Sequence, residues 1–115
     1  MQYVNCGQFP YPFIASASEG KINISVLEGK GTPVGLFKMP VFNLKEVTLP
    51  KCFKMIMFSD GILEILTSES IEDSDKYLHE IFSNDSVDVD KISEQLDLEN
   101  REYFPDDLTF LMIEK

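Results

Sequence analysis

The sequence feature that most restricts the fold is a short and nearly continuous apolar run at residues 53–58, Phe-Lys-Met-Ile-Met-Phe. An apolar run of this length, without alternation, is typical of a strand that is buried on both faces. A strand of that kind needs partners beside it and further layers of structure above and below it. The sequence therefore predicts a sheet in which residues 53–58 form a central strand.

Strand-like segments also recur along the chain before this run. Residues 2–6, 13–17 and 42–49 are each predicted as strands, the last with a bulge. In residues 22–26, isoleucine and valine alternate with polar side chains, which is the period of a half-buried strand. Ser-Glu-Gly at residues 18–20 predicts a hairpin turn, because glycine readily adopts the positive φ that such turns require.

Helical spacing replaces this alternation in the last third of the chain. Ser74 or Asp75 is predicted to cap a first helix, and Asp88 a second. A final apolar strand is predicted over residues 108–113. This order of strands, two helices and one last strand indicates an α+β fold, with mostly antiparallel strands and helices layered on the sheet. The helical residues predicted to face the sheet are Tyr77, Leu78, Ile81, Phe82, Val89, Ile92 and Leu96.

The net charge of −10 is concentrated in one segment. Residues 69–107 contain fourteen acidic and three basic side chains, whereas the remainder of the chain is close to neutral. We interpret the acidic segment as a solvated outer face of the predicted helices. The negative charge also argues against non-specific binding to nucleic acid and to anionic membranes, because both require basic surfaces.

The cysteine content and the hydropathy pattern indicate an intracellular setting. Cys6 and Cys52 form neither a disulfide framework nor a metal-binding pattern. No apolar run approaches the roughly 20 residues that span a bilayer, and no signal peptide is visible after Met1. A reduced, cytoplasmic protein is therefore expected.

Two short aspartate motifs lie at the ends of predicted strands. Ser59-Asp60-Gly61 directly follows the apolar run, and Asp106-Asp107 directly precedes the last strand. If these strands are antiparallel neighbours, Asp60 and Asp106 or Asp107 converge. Converging carboxylates repel each other unless a cation neutralises them, and Mg²⁺ or Mn²⁺ prefers such oxygen ligands. The alternative is that Asp-Gly is a simple turn and that Asp-Asp is a cap or a solvated loop.

Four short motifs occur in an order that resembles one protein family. Residues 4–12, Val-Asn-Cys-Gly-Gln-Phe-Pro-Tyr-Pro, resemble the Asn-Ala-Gly-His-Pro-Pro-Pro segment of SpoIIE-like and RsbU-like bacterial protein phosphatases. Residues 31–35 resemble the Gly-x-Pro-Leu-Gly loop of that family, and residues 58–64 resemble its Tyr-Thr-Asp-Gly-Val-Thr-Glu motif. Residues 106–109 match its closing Asp-Asp-x-Thr motif. The resemblance extends from Gln2 to the C-terminus.

The resemblance implies a metal-dependent phosphatase of the type-2C, or PPM, superfamily. The fold would be part of a four-layer α-β-β-α sandwich. The activity would be removal of phosphate from phosphoserine or phosphothreonine of a regulatory protein, such as an anti-sigma-factor antagonist. In two-component signalling, the domain would act as the output domain of a response regulator.

The resemblance also implies roles for the aspartate motifs. Asp60 and Asp106 would be ligands of two Mn²⁺ or Mg²⁺ ions, which activate a bridging water as the nucleophile. Ser59, Gly61 and Asp107 would support these ligands. No side chain other than the metal ligands would be catalytic.

Residues 1–115 are interpreted as the C-terminal portion of such a domain, because further metal-binding aspartates of the family belong to its N-terminal portion. The chain alone is therefore expected to bind metal weakly, to be inactive and to self-associate. Gln8 replaces the histidine of the family, and Cys52 stands in an altered turn. Both changes are compatible with the alternative function, a non-catalytic phosphatase-like module that binds a partner protein. The Gly7-Gln8 segment is otherwise predicted to be a plain loop.

Overall fold

The computed structural model describes residues 1–66, 71–82 and 88–115, with only the backbone described for residues 71–75. The α+β class predicted from the sequence is confirmed. Among the described residues, no helix has both the length and the apolar character that crossing a membrane requires. The elements in chain order are β1 (Gln2–Tyr3), β2 (Phe13–Ser18), β3 (Lys21–Val26), β4 (Lys45–Glu46), β5 (Lys54–Phe58), α1 (Gly61–Ile65), α2 (Ile71–Phe82), α3 (Val89–Gln95) and β6 (Phe110–Glu114).

A four-stranded antiparallel sheet forms the centre of the fold, with the strand order β3-β2-β5-β6. The strand predicted from the apolar run, β5, therefore lies between two partners and is central as expected. Its Ile56 is opposite Phe13 of β2 and Met112 of β6. The short strands β1 and β4 pair with each other in a separate antiparallel sheet.

A two-residue turn joins β2 to β3. Glu19 and Gly20 have φ values of 52° and 74°, and Ser18 is opposite Lys21. Positive φ at both central residues is the signature of a type I′ turn, whose twist matches that of the two strands. The predicted hairpin is therefore confirmed. β3 also shows the predicted alternation between half-buried and exposed side chains.

Apolar clusters lie on both faces of the four-stranded sheet. On one face, Phe13, Ile56 and Phe58 pack against the helices. On the other face, Ile14 and Met55 pack with side chains from β1 and from the segment after β4. The sheet is thus covered by helices on one side and by the small sheet on the other. The buried helix-side residues of the first cluster are Ile62, Leu66, Leu78, Ile81, Phe82, Ile92 and Leu96.

The face that carries the small sheet is only partly covered. Ile113 of the edge strand β6 is opposite Met55 and lies on the same face, as does Leu111. These two side chains are 44% and 50% exposed. Exposed apolar residues on an edge strand favour pairing with another chain. This exposure is consistent with the expected self-association, which stays a prediction.

The helices differ from the prediction in two respects. α2 begins at Ile71, so Ser74 and Asp75 lie inside the helix and neither is its N-cap. Polar residues are tolerated inside a helix at small cost, which is why Ser74 does not mark the start. Tyr77 and Val89 are 43% and 48% exposed and do not belong to the buried cluster, whereas the other predicted residues of these helices do.

The predicted start of α3 is confirmed. The Asp88 carboxylate accepts a hydrogen bond from the backbone N–H of Lys91 at 2.8 Å, and Ile92 is buried against the sheet. Glu80 on α2 and Asp90 on α3 are exposed, as expected for an acidic outer face.

Two predicted strands are much shorter than expected. The segment 42–49 forms a strand only at Lys45–Glu46, and the segment 2–6 only at Gln2–Tyr3. These two strands pair with each other over two residues, Gln2 with Glu46 and Tyr3 with Lys45. Asn5 is instead buried in a turn that directs the chain away from β1.

A short helix after β5 was not predicted. α1 begins at Gly61, and its side chains Ile62 and Ile65 are buried together with the following Leu66. The spacing i, i+3, i+4 is the signal that could have revealed it. The described residues therefore contain three helices, where the sequence predicted two.

Candidate active site

The two aspartate motifs meet at one edge of the four-stranded sheet. β5 and β6 are antiparallel neighbours, so the end of β5 lies beside the start of β6. The backbone N–H of Ser59 donates a hydrogen bond to the carbonyl oxygen of Thr109 at 2.8 Å. The condition on which the predicted convergence depended is therefore met.

The Ser59 hydroxyl locks these two segments together. Its Oγ donates to the carbonyl oxygen of Asp107 at 3.0 Å and accepts from the backbone N–H of Thr109 at 2.9 Å. A hydroxyl can donate once and accept at the same time, so a serine or threonine suits this position. The supporting role of Ser59 was implied by resemblance, and the hydrogen bonds give it a physical basis.

Gly61 allows the closest approach between the motifs. A Cβ atom on this residue would lie 2.4 Å from the carbonyl oxygen of Asp107 and 2.9 Å from its carbonyl carbon. Real Cβ atoms essentially never come so close, so the packing of Asp107 against α1 requires glycine. The supporting role of Gly61 was implied by resemblance, and this close contact gives it a physical basis.

Asp60 and Asp106 are both exposed at this junction. Asp60 precedes α1 at the N-cap position, yet its side chain makes no capping hydrogen bond. One carboxylate oxygen of Asp106 accepts from the backbone N–H of Asp107 at 2.8 Å. The carboxylate of Asp60 is therefore not used to stabilise its own helix, and that of Asp106 keeps a second oxygen for another ligand.

The donor set at this edge suits a hard divalent cation. Carboxylate oxygens are the ligands that Mg²⁺ and Mn²⁺ prefer, and exposed carboxylates leave room for the waters that Mg²⁺ retains. Within the described parts of the chain, no group of three or more His, Cys, Asp or Glu side chains is arranged to hold a metal ion. Asp60 and Asp106 are the carboxylates at this edge that could contribute to a metal site completed by further ligands.

The segment that contains Gln8 has no regular secondary structure, as predicted, and the Asn5 side chain organises it. The buried Asn5 side chain accepts hydrogen bonds from the backbone N–H groups of Gly7 and Gln8 at 3.0 and 2.9 Å. Its Nδ2 donates to the carbonyl oxygen of Gln8 at 3.0 Å. The Gln8 side chain in turn donates to the carbonyl oxygen of Phe58, the last residue of β5. This turn is thus fixed to the strand that leads into Asp60.

The glycine-rich loop packs on the same turn. A Cβ atom on Gly31 would lie 2.0 Å from the carbonyl oxygen of Asn5, and one on Gly7 would lie 3.0 Å from Cγ of Pro33. The four sequence motifs are therefore joined in space, from the loop through the Asn5 turn to the end of β5 and the start of β6. Sequence reasoning missed the structural roles of Asn5 and Gln8, although an Asn side chain often forms a hydrogen bond with the backbone two residues further on.

An antiparallel sheet with helices on one face, and with Asp-Gly and Asp-Asp segments joined at neighbouring strand ends, has the architecture expected of a type-2C phosphatase domain. The family model described as Stage II sporulation protein E (SpoIIE) matches residues 1–115. The chain therefore belongs to the SpoIIE family, and at this level it is a phosphatase domain of the PPM type. No curated protein and no solved structure matches the chain significantly.

Proposed function

We propose that this chain is the C-terminal portion of a metal-dependent phosphatase domain that acts on phosphoserine or phosphothreonine of a regulatory protein. An anti-sigma-factor antagonist is the kind of substrate that this family suggests, and the output domain of a cytoplasmic response regulator is the proposed setting. The observation that carries the proposal is the pair of hydrogen bonds made by the Ser59 hydroxyl, which join the segment of Asp60 to that of Asp106 and Asp107.

In this proposal, Asp60 and Asp106 are the metal ligands that this portion contributes. Two Mn²⁺ or Mg²⁺ ions, when bound, would neutralise the phosphoryl oxygens and supply a nucleophilic water at neutral pH. The chain itself positions the backbone segments that carry the two aspartates. Ser59 fixes the end of β5 to the Asp107 carbonyl group, and Gly61 allows the two backbones to come into contact. These contacts hold the backbone segments that carry Asp60 and Asp106 side by side.

Two carboxylates are too few to offset the cost of dehydrating Mg²⁺, so the remaining ligands are proposed to come from a preceding portion of the domain. The chain by itself is accordingly expected to bind metal weakly and to be inactive. Strong Mn²⁺-dependent hydrolysis by residues 1–115 alone would contradict this part of the proposal.

The test is Mn²⁺-dependent hydrolysis of p-nitrophenyl phosphate and of a phosphoserine peptide by the full natural protein. Changing Asp60→Asn should lower kcat by about 100-fold or more, because even residues that only support a metal ligand typically cost 10- to 100-fold. Asp90→Asn is the matched control, since Asp90 is equally acidic and exposed but lies on α3. The control should change kcat by less than about twofold.

The second candidate function is a non-catalytic phosphatase-like module that binds a partner protein. Gln8 favours it, because an amide that holds the Phe58 carbonyl group stands where the family has an imidazole. Under this alternative, the full protein binds a phosphoserine peptide without hydrolysing it. Metal-dependent turnover that Asp60→Asn abolishes would exclude the module.

A further inference from the structure

The loop that follows Gly31 exposes many large apolar side chains to solvent. We define the apolar loop as residues 33–44, which connect the glycine-rich segment to β4. Its large side chains are between 50% and 88% exposed. A concentration of exposed apolar side chains of this kind often marks a surface that binds another molecule. The residues concerned are Val34, Leu36, Phe37, Met39, Val41, Phe42 and Leu44.

Hydrogen bonds close the apolar loop at its base. The backbone N–H of Thr32 donates to the carbonyl oxygen of Val41 at 3.0 Å, and the N–H of Val41 donates to Oγ1 of Thr32 at 3.0 Å. The Asn43 side chain donates to the carbonyl oxygen of Lys30 at 2.6 Å. A loop whose ends are joined in this way presents its side chains from a fixed base, as compact functional loops do.

The base of the apolar loop adjoins the candidate active site. Pro33 packs on Gly7, and the neighbouring Gln8 donates to the carbonyl oxygen of Phe58. Ser59 and Asp60 follow directly in the chain. The base of the apolar loop is therefore linked to the segment that carries the carboxylates proposed to act on phosphate.

The charge of the loop region is opposite to that of the chain as a whole. Residues 29–45 contain Lys30, Lys38 and Lys45 and no acidic residue, whereas the whole chain has a net charge of −10. All three lysines are exposed. A surface that is both apolar and basic complements a ligand that is apolar and acidic, and a phosphorylated segment adds further negative charge.

We propose that the apolar loop is the docking surface for the phosphoprotein substrate, and that it binds a segment with apolar and acidic residues next to the phosphorylated side chain. The proposal rests on the proposed function. Phe37 and Met39 are the expected anchors, because an aromatic ring and a flexible thioether give large contact areas to an adaptable partner. The three lysines select for acidic flanking residues.

The experiment compares two phosphoserine peptides of equal length on the full natural protein. One peptide carries leucine and glutamate beside the phosphoserine, and the other carries serine and lysine. Binding is measured by fluorescence anisotropy in the absence of metal, and turnover is measured with Mn²⁺ together with turnover of p-nitrophenyl phosphate. The wild-type protein should bind the acidic and apolar peptide at least about tenfold more tightly, the effect of one good anchor.

The informative variant replaces both anchors, Phe37→Ser with Met39→Ser. It should remove the preference between the two peptides and leave p-nitrophenyl phosphate turnover within about twofold of wild type, because the anchors are exposed and make no contact that the fold needs. Tyr103→Ser is the matched control, since Tyr103 is a 74% exposed aromatic residue in the acidic segment. The control should keep the preference.

Three outcomes would overturn the docking proposal. The wild-type protein could bind both peptides equally, or the double variant could keep the preference. The double variant could also change sedimentation without changing peptide binding, which would assign the loop to self-association. Failure of the proposed function is separate, because it would show as absent Mn²⁺-dependent turnover while the anisotropy preference and its loss in the double variant persist.

Discussion

Replacing Gly61 by alanine tests whether the contact between the two motifs is as close as described. The added methyl group would lie 2.4 Å from the carbonyl oxygen of Asp107, against 3.4–4 Å for an ordinary contact. The Asp107 segment would therefore have to retreat by about 1 Å, and overpacking of this kind costs about 1–3 kcal/mol. The same displacement would stretch the 3.0 Å hydrogen bond from Ser59 Oγ.

Three contributions determine how Gly61→Ala changes the free energy of unfolding. Losing the Ser59–Asp107 hydrogen bond adds about 1 kcal/mol to the overpacking cost. Alanine at the first position of α1 offsets up to about 1 kcal/mol, because it has a higher helix propensity than glycine. We therefore expect Gly61→Ala to lower the free energy of unfolding by about 1–3 kcal/mol.

The measurement is urea unfolding followed by circular dichroism. Glu64→Ala is the control, because Glu64 is an exposed residue of the same helix and its replacement should have little effect. A double-mutant cycle with Ser59→Ala tests the cause: if the methyl group acts by pushing Asp107 away, the two changes should be non-additive by about 1 kcal/mol. A Gly61→Ala protein as stable as wild type, or full additivity in the cycle, would refute the reasoning.

Two further changes test other parts of the fold by the same unfolding measurement. Asn5→Ala should cost about 2–4 kcal/mol, because it leaves the N–H groups of Gly7 and Gln8 without their acceptor; a loss below about 1 kcal/mol would contradict this role. Asp88→Ala should cost about 1 kcal/mol by removing the cap of α3, and Asp88→Ser should restore most of the loss; an unchanged stability would show that the cap contributes little.

The elements that the sequence predicted well are those whose signals are local. The apolar run produced the central strand β5, and Ser18-Glu19-Gly20 produced the hairpin, because run length and turn chemistry depend on few neighbouring residues. Asp88 acts as the predicted cap for the same reason. Strand ends depend on partners that are distant in sequence. The predicted strand at residues 42–49 is reduced to Lys45–Glu46, which pair with the two residues of β1.

In the candidate site too, some features could be predicted from the sequence and others could not. That Asp60 and Asp106 would be brought to one sheet edge could be predicted, because it required only that β5 and β6 be antiparallel neighbours. The double hydrogen bonding of Ser59 and the link from Gln8 to Phe58 could not be predicted from residue spacing. Those contacts join segments about 50 positions apart, and no local pattern in one sequence reports them.

These long-range hydrogen bonds affect the order in which the protein folds. The link from Gln8 to Phe58 and the link from Ser59 to Thr109 each join residues 50 positions apart. Contacts that close such long loops form late, because the chain entropy lost in closing them is recovered only when the intervening structure is in place. We therefore expect the edge that holds Asp60 and Asp106 to be completed late in folding, after local elements such as the hairpin of β2 and β3.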